Sequence, residues 1–515
     1  MPKQQTDHLL ELITSLTKGE KRSFRLFVNR DNPHTKKLFM LLFDHLDKYQ
    51  EYNEKLILEK HPRIKKSQLS NLKRNLYDQI LLSLRNLYRN TSTEMAIREN
   101  LDYAKILYNK RMYKASLDIL DKTKKLAFQS QDHMAALSVI NAERHLESQH
   151  ITGSMFGKAK EIINTSSKTL QKITTYNELA NFSLMLYGFY LQYGYVKDIK
   201  DYRFVTEYFQ SHHPTIELNN LDFYETIMYH QSYVWYYNMI QDFPNYYRHA
   251  QNWVDAFHKN PVHQISDSAM YFKGLHNVLN ALFMVQRYDK FKPVFQELIA
   301  LKENKVLLNS PNNLSLWNLF YYIHGINEIY LTANYTEGSN WVDELEPLLE
   351  HNKFNWDLHR ILVFYYKVAC VHFGANRLDK CILYLNKITN NYYPDFRNDI
   401  QCFARILNLI AHFELGNNIL VSYQVKSVYR FLLKMEDLQE VQKEILRFLR
   451  KIPGMSEGSV VSEFKKLKYK LIVLKKDNYE RRPFLYLDII SWLESKIHRI
   501  TMQEAIKRNM SEKAG

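Results

Sequence analysis

The chain has 515 residues, 45% of them hydrophobic and 14% aromatic, and a formal net charge of +15. This composition excludes a disordered chain, and the 13 Gly and 12 Pro are too few for a sheet-rich fold with many tight turns. Three Cys form neither a disulfide framework nor a metal-binding spacing, and no window has the roughly 18 uninterrupted apolar residues of a membrane span. We therefore expect a cytoplasmic protein.

Residues 1–95 are predicted to form a small basic helical domain. They carry 18 Lys and Arg against 11 Asp and Glu, whereas residues 96–419 are balanced. Helices are expected at residues 9–17, 21–28, 35–52 and 66–88. Along the last of these an apolar stripe recurs every three to four residues, at Leu69, Leu72, Leu76, Ile80, Leu84 and Leu87.

The stretch from residue 54 to residue 78 loosely resembles a helix–turn–helix. Residues 54–60 would be the supporting helix and residues 67–78 the helix that faces the DNA groove. Arg74 lies about 200° around the helix from Leu72, so it points away from the apolar stripe. The candidate nucleic-acid contacts are Arg63, Lys65, Lys66, Lys73 and Arg74. The competing interpretation is the charged outer face of a helical bundle.

Residues 96–423 contain an element that recurs about every 44 residues. In each copy an apolar, aromatic-rich helix runs into a short polar turn, and an aromatic or aliphatic residue then opens a second amphipathic helix. These opening residues are Tyr113, Phe156, Tyr195, Tyr246, Tyr288, Tyr335, Leu378 and Ile419. A helix hairpin cannot bury both apolar stripes alone, so such hairpins must stack on one another.

The copy NLDYAKILYNKRMYKASLDILDKTKKLA, residues 100–127, resembles a tetratricopeptide repeat. Tyr113 matches the aromatic residue that opens the second helix of such a repeat. Ser116 matches the small residue at which the two helices of the repeat cross. In residues 365–388, Ala369 and Cys381 match the two small positions. Phe291 departs from the pattern, and the units exceed the usual length of about 34 residues. The resemblance implies a right-handed α-solenoid of about eight helix pairs.

Residues 424–515 are predicted to form a basic helical cap. Helices are expected at 424–452, 460–475 and 484–508, with a break at 453–458. Residues 420–515 carry 20 Lys and Arg against 12 Asp and Glu. The closing motif FLYLDIISWLESKI resembles the C-termini of large tetratricopeptide-like proteins of Bacteroidota, a resemblance that implies no particular activity.

Catalytic motifs are missing from the sequence. The segment at residues 153–158, GSMFGK, has three residues between its glycines where a P-loop has four, and Ala159 stands where a hydroxyl would bind magnesium. The 20 His include no H-E-x-x-H, and no G-x-S-x-G or kinase set occurs. Cys370 and Cys381 fit buried packing better than thiol catalysis. We therefore expect no catalytic residue, no metal and no cofactor.

Clusters of aromatic residues favour a partner-binding surface. Neighbours on a helix that turns 100° per residue cannot all point inward, so some must line a surface or a groove, although packing between repeats explains others. The candidate partner-binding residues are Tyr233, Tyr236, Tyr237, Tyr321 and Tyr322.

Two functional hypotheses follow, beside a third, an enzyme whose catalytic groups converge from distant units, which no motif supports. In the first, the chain is a non-catalytic scaffold or adaptor whose concave face holds a protein or peptide. In the second, the basic head contacts nucleic acid and the array senses a peptide, as in peptide-responsive transcriptional regulators. The oligomeric state is open in both hypotheses.

Overall fold

The part of the protein that its computed structural model describes is all-helical, with turns and short loops between the helices. That part comprises residues 2–30, 37–89, 92–149, 157–308, 310–390, 398–435, 439–452, 455, 457–477, 479–480, 484 and 488–514. No strand occurs among these residues. The chain divides into two compact units, an N-terminal unit of residues 1–177 and a C-terminal unit of residues 178–515. The prediction of three domains with boundaries at residues 95 and 423 stays a prediction.

The N-terminal unit begins with a helical head that has its own core. Thr17 and Glu20 cap each other's backbone amides at the start of the second helix. Leu42, Phe43 and Leu76 lie at the centre of the core. The helices of this unit are α1 (Pro2–Ser15), α2 (Lys18–Asn29), α3 (Leu38–Tyr49), α4 (Glu54–Lys60), α5 (Leu69–Tyr88), α6 (Thr93–Asn109), α7 (Tyr113–Gln129), α8 (His133–Gln149) and α9 (Lys158–Tyr193), and the division falls within α9.

In the C-terminal unit the helices pack largely in chain order. The helices are α10 (Ile199–His212), α11 (Phe223–Met239), α12 (Phe243–Lys259), α13 (Pro261–Ser266), α14 (Ser268–Met284), α15 (Tyr288–Ala300), α16 (Pro311–Thr332), α17 (Tyr335–Asp343), α18 (Glu346–Glu350), α19 (Leu358–Gly374), α20 (Leu378–Thr389), α21 (Asn398–Glu414), α22 (Asn418–Lys434), α23 (Glu440–Lys451), α24 (Glu457–Leu474), α25 (Ile489–His498) and α26 (Met502–Ala514). Short 3₁₀ turns lie at Lys66–Gln68, Leu218–Asn220 and Leu301–Glu303. Helix α14 packs on α12, α15 and α16, and α19 packs on α16, α17, α20 and α21. One large apolar core runs through the helices from α11 onwards, whereas Val205 and Phe209 of α10 lie in a separate, smaller core.

One turn geometry joins seven helix pairs, two in the N-terminal unit and five in the C-terminal unit. A residue with positive φ ends the first helix, and the amide of the next residue donates to a carbonyl five residues earlier, the Schellman arrangement of a helix C-terminus. The second helix then begins within two residues. The positive-φ residues are Arg111, Gln131, Gln241, Gln286, Ala333, Asn376 and Gly416. The last five lie 40 to 47 residues apart, which confirms helical hairpins recurring at the predicted interval.

Six of these seven turn residues are not Gly. Their left-handed conformation therefore costs each of them about 1–2 kcal/mol, since an L-residue is strained there. We predict that Arg111→Gly raises the stability of the α6–α7 hairpin by about 1 kcal/mol. The measurement is native-state hydrogen exchange of the α6 and α7 amides. The matched control is Lys110→Gly, where φ is −88°, and it should lower protection. Slower exchange in the control than in Arg111→Gly would contradict this account of the turn.

Small residues let paired helices approach closely. Ser116 donates from Oγ to the carbonyl of Ala104 at 2.8 Å, so α6 and α7 meet at the position matched to the tetratricopeptide pattern. Cys381 is fully buried on α20. A Cβ added at Gly374 would lie 2.3 Å from Cδ1 of Tyr335, because α17 crosses α19 at that point.

Two predicted helices of the C-terminal segment are wrong. Residues 424–452 are not one helix: α22 ends at Lys434, and α23 begins at Glu440 after a capping box between Gln439 and Gln442. Residues 484–508 do not form one helix either, because Arg499 adopts positive φ between α25 and α26. The turn predicted at Phe156 and most of the 453–458 break lie outside the described residues.

Candidate functional site

The candidate nucleic-acid contacts lie at the α4–α5 corner of the N-terminal unit. Arg63, Lys65 and Arg74 are exposed, and Arg74 points away from the apolar stripe as predicted. Lys66 pairs with Glu54 at 3.4 Å, with both side chains in solvent. Lys73 places its ammonium 4.8 Å from the centre of the Tyr52 ring. These cations are therefore grouped at one corner, but two of them already contact their own domain.

The start of α5 also exposes uncharged polar side chains. Ser70, Asn71 and Asn75 are exposed beside Arg74, and Asp78 follows one turn later. Amide and guanidinium groups on one helix face are the donors that read base edges. The carboxylate of Asp78 on this face would repel phosphate.

The tyrosines predicted to bind a partner pack mainly inside the C-terminal unit. Tyr236 has only 8% of its surface exposed and stacks on Phe209 with ring centres 4.0 Å apart. Tyr233 stacks on His249 at 4.5 Å, and its hydroxyl lies 3.1 Å from Nε2 of His213. Tyr237 is half-buried beside the same His249 ring. Substituting these residues would disturb the core as well as any surface.

Tyr321 and Tyr322 on α16 are likewise half-buried. Tyr321 stacks on Trp317 with ring centres 5.0 Å apart, and Tyr322 contacts the ring of Trp341 on α17. Both tyrosines therefore help to hold α16 in place. Their role in partner binding stays a prediction.

A different set of aromatic side chains reaches solvent at α9 and α11. Trp235 is half-buried, and its ring lies 4.8 Å from Tyr187 and 5.6 Å from Tyr190. On the same face of α9, Leu184 is 68% and Leu191 60% exposed. We call Leu184, Tyr187, Leu191 and Trp235 the apolar end of the site. Exposed aliphatic and aromatic side chains grouped in this way are typical of an interaction surface.

Next to the apolar end, a line of polar side chains crosses α14, α16 and α19. The ammonium of Lys273 lies 5.6 Å from the centre of the Trp235 ring. His276 stacks on Phe320, with ring centres 4.4 Å apart. We call Lys273, His276, His324, Asn327 and Lys367 the polar row. Lys273, His276 and Lys367 are partly exposed, whereas His324 and Asn327 are buried.

Hydrogen bonds in the polar row run in one direction, and Lys367 sets it. Its ammonium donates to Oδ1 of Asn327 at 2.6 Å, which turns the amide Nδ2 towards Nδ1 of His324 at 3.2 Å. That nitrogen must accept, so Nε2 of His324 carries the proton and donates to Nδ1 of His276 at 2.9 Å. The remaining ring proton of His276 then lies on Nε2, as a donor.

The electrostatics of the polar row favour an anion. Burial lowers the pKa of His276 to about 3, and Lys273, Arg360 and Lys367 lower it further. Burial and the neighbouring His276 hold the pKa of His324 well below its usual value. Both imidazoles are therefore neutral at physiological pH, and all three charged groups acting on His276 are cations. Burial also lowers the pKa of Lys273, which forms no ion pair with a described residue.

The polar row consists of side chains that can donate hydrogen bonds or carry positive charge. No group of three or more His, Cys, Asp or Glu side chains suited to a metal ion occurs within the described ranges. Burial raises the pKa of the Cys370 thiol to about 12, which disfavours the thiolate.

Across the portion of the chain that the structure covers, we find no helix of sufficient length and apolarity to span a bilayer.

Comparison of the chain with protein-family models, with curated proteins and with solved structures finds no match. The function must therefore be argued from the site itself. Sequence reasoning identified neither the apolar end nor the polar row, because their residues lie on different helices and match no motif.

Proposed function

We propose that the protein is a non-catalytic scaffold that holds an acidic segment of another protein along the apolar end and the polar row. In this proposal the helix pairs form a right-handed tetratricopeptide-like solenoid of about eight units in the cytoplasm, and the polar row lies on its concave face. The observation that carries the proposal is the line of hydrogen-bond donors that continues directly from an exposed aromatic group and includes Lys273, which forms no ion pair with a described residue.

The two parts of the site suit different parts of one ligand. Trp235 and Tyr187 offer rigid aromatic surface, which can bury an apolar side chain at small entropic cost. Lys273 and the Nε2 proton of His276 can donate to a carboxylate, and charge-assisted hydrogen bonds of this kind are the stronger ones. A segment that combines an apolar residue with nearby Asp or Glu would satisfy both parts.

The test is affinity purification of the full-length protein from cells that express it. A protein partner should be recovered in stoichiometric amount with the wild type, and Trp235→Ala should weaken its binding about 30-fold, as for an aromatic residue at the centre of an interface. The matched control is Tyr202→Ala, an exposed aromatic residue on α10 outside the site. Equal recovery with Trp235→Ala and with wild type would argue against this surface.

A second candidate function is nucleic-acid binding by the head, favoured by the donors exposed on α5. We expect the full-length protein to retain duplex DNA in a gel-shift assay, with affinity falling steeply as salt rises. Arg74→Ala should weaken retention about tenfold. The control is Arg98→Ala, since Arg98 is exposed on α6 and pairs with Glu94. No retention even at ~50 mM salt would remove this candidate.

A further inference from the structure

Helix α22, near the end of the C-terminal unit, presents an unusual face to solvent. Ile419 is 90% exposed, Tyr423 81% and Leu433 59%. Lys426, Arg430 and Lys434 are exposed on the same helix. At 100° per residue, these six side chains fall within about 100° of arc and extend about 20 Å along the helix. We call these six residues the α22 stripe.

Among the described residues, the cations of the α22 stripe have no acidic partner. Helix α22 contains no Asp or Glu. None of Lys426, Arg430 and Lys434 forms an ion pair with any residue that the structure describes. The opposite face of the helix is buried through Val421, Val425 and Leu432, so the apolar residues of the stripe are additional to those that the fold needs.

Helix α24 also exposes apolar and cationic side chains on one face. Lys465, Tyr469, Ile472 and Lys476 lie on one exposed face of the α24 segment and the turn that follows it. Tyr469 is 73% and the adjacent Val473 52% exposed. Helices α22 and α24 both pack on α23. Two helices of the same region therefore combine protruding apolar side chains with lysines.

We propose that the α22 stripe docks the protein on an anionic lipid surface. Lysine and arginine attract anionic headgroups, and Ile, Leu and Tyr can enter the boundary between headgroups and acyl chains, about 5–10 Å deep. Side chains that protrude from a helix ridge fit a fluid surface, which needs no matching pocket. A protein partner would instead require complementary hollows around each of them.

Two other occupants fit less well. A second copy of the chain would place the cations of one stripe against those of another, in a protein whose net charge is already +15. Nucleic acid would pair with the cations but offers no apolar surface to Ile419 and Leu433, since its backbone is polar and charged.

The test is co-sedimentation of the full-length protein with vesicles at ~0.1 M salt. We expect binding to phosphatidylcholine vesicles that contain about one-third phosphatidylserine, and weak binding to pure phosphatidylcholine. The triple variant Lys426→Gln, Arg430→Gln, Lys434→Gln should bind the anionic vesicles about 100-fold more weakly, because each cation near such a surface contributes roughly fivefold.

A second variant isolates the apolar contribution. The double variant Ile419→Ser, Leu433→Ser should bind the anionic vesicles at least about tenfold more weakly, with an unchanged circular dichroism spectrum. The matched control Val262→Ser, Ile265→Ser removes two other aliphatic residues that are more than half exposed and should bind like wild type.

Three outcomes would overturn the proposal. These are no sedimentation of the wild type with anionic vesicles, equal sedimentation with both vesicle types, and unchanged sedimentation of the triple variant. Binding to soluble polyglutamate in place of vesicles, lost in the triple variant, would assign the stripe to an acidic protein. Substitutions in the polar row should leave sedimentation unchanged, so this result does not depend on the proposed scaffold function.

Discussion

Lowering the pH from 7 to 5 is expected to destabilise the C-terminal unit by up to about 2 kcal/mol for each fully buried imidazole. Burial lowers the pKa of His249 to about 3 and that of His372 to about 4, and it holds the pKa of His324 well below 6.5. Below pH 6.5 these residues take up protons in the unfolded chain but not in the folded protein. Each pH unit then favours unfolding by 1.36 kcal/mol per imidazole.

The chosen pH window separates these residues from the carboxylates. A carboxylate with a depressed pKa, such as Asp289 at about 2, loses its stabilising effect mainly below pH 5, because its unfolded pKa is 3.8. The destabilising effect of the buried imidazoles, by contrast, is nearly absent at pH 7 and grows as the pH falls below 6.5. The window between pH 7 and pH 5 therefore reports mainly on the imidazoles. The carboxyl of Asp267, whose pKa is raised by burial, acts in the opposite direction.

The measurement is urea unfolding followed by tryptophan fluorescence at several pH values. All six Trp lie between residues 235 and 492, so the signal reports on the C-terminal unit alone. Replacing His324 by Gln should lower stability at pH 7 and reduce the loss between pH 7 and pH 5 by up to about 2 kcal/mol. A free energy of unfolding that stays constant or rises on acidification would contradict the neutral state of these residues.

The second large effect is expected from Lys367→Met. This change removes the donor that orients Asn327 and leaves a buried amide oxygen without its charged partner, which costs about 1.5–3 kcal/mol. The amide of Asn327 can then rotate, so the proton positions on His324 and His276 are no longer fixed. We expect affinity for an acidic peptide to fall at least about tenfold, from the lost charge and the misdirected donor together.

Nitrogen chemical shifts of ¹⁵N-labelled His distinguish this explanation from simple loss of charge. In the wild type His276 should carry its proton on Nε2, and in Lys367→Met its signals should show a mixture of tautomers. The matched control is Lys353→Met, which removes a lysine near Phe354 outside the polar row. An unchanged His276 tautomer in Lys367→Met would contradict the directed chain of hydrogen bonds.

Much of the helical framework could be predicted from the sequence because it depends on local periodicity. Tyr113, Tyr288, Tyr335 and Leu378 each begin a helix as predicted. Apolar spacing also placed Leu76 and Ile80 in the core of the head, whereas Leu87, assigned to the same stripe, is 41% exposed.

The two wrong helices have different physical causes. The break before α26 occurs at Arg499, which adopts positive φ without the Gly that normally signals it. Residues 424–452 keep an amphipathic pattern through the end of α22 and the start of α23, so periodicity alone joined the two helices.

The polar row escaped sequence analysis because its geometry is tertiary. His276 and His324 are 48 residues apart, and Asn327 and Lys367 are 40 apart. Each stands among apolar neighbours on its helix, where a lone polar residue is ordinarily a satisfied core group. The signal that could have found them is their separation, which is close to the repeat interval, so that equivalent helices bring them together.

The most direct test of the central claim is selection of peptides from a random displayed library by the wild-type protein and by the double variant Lys273→Gln, Lys367→Gln. The polar row and apolar end predict that wild type enriches peptides combining Asp or Glu with a large apolar residue, and that the double variant loses this acidic preference. Enrichment of neutral or basic peptides by the wild type, or the same acidic preference in both proteins, would contradict the assignment of this site.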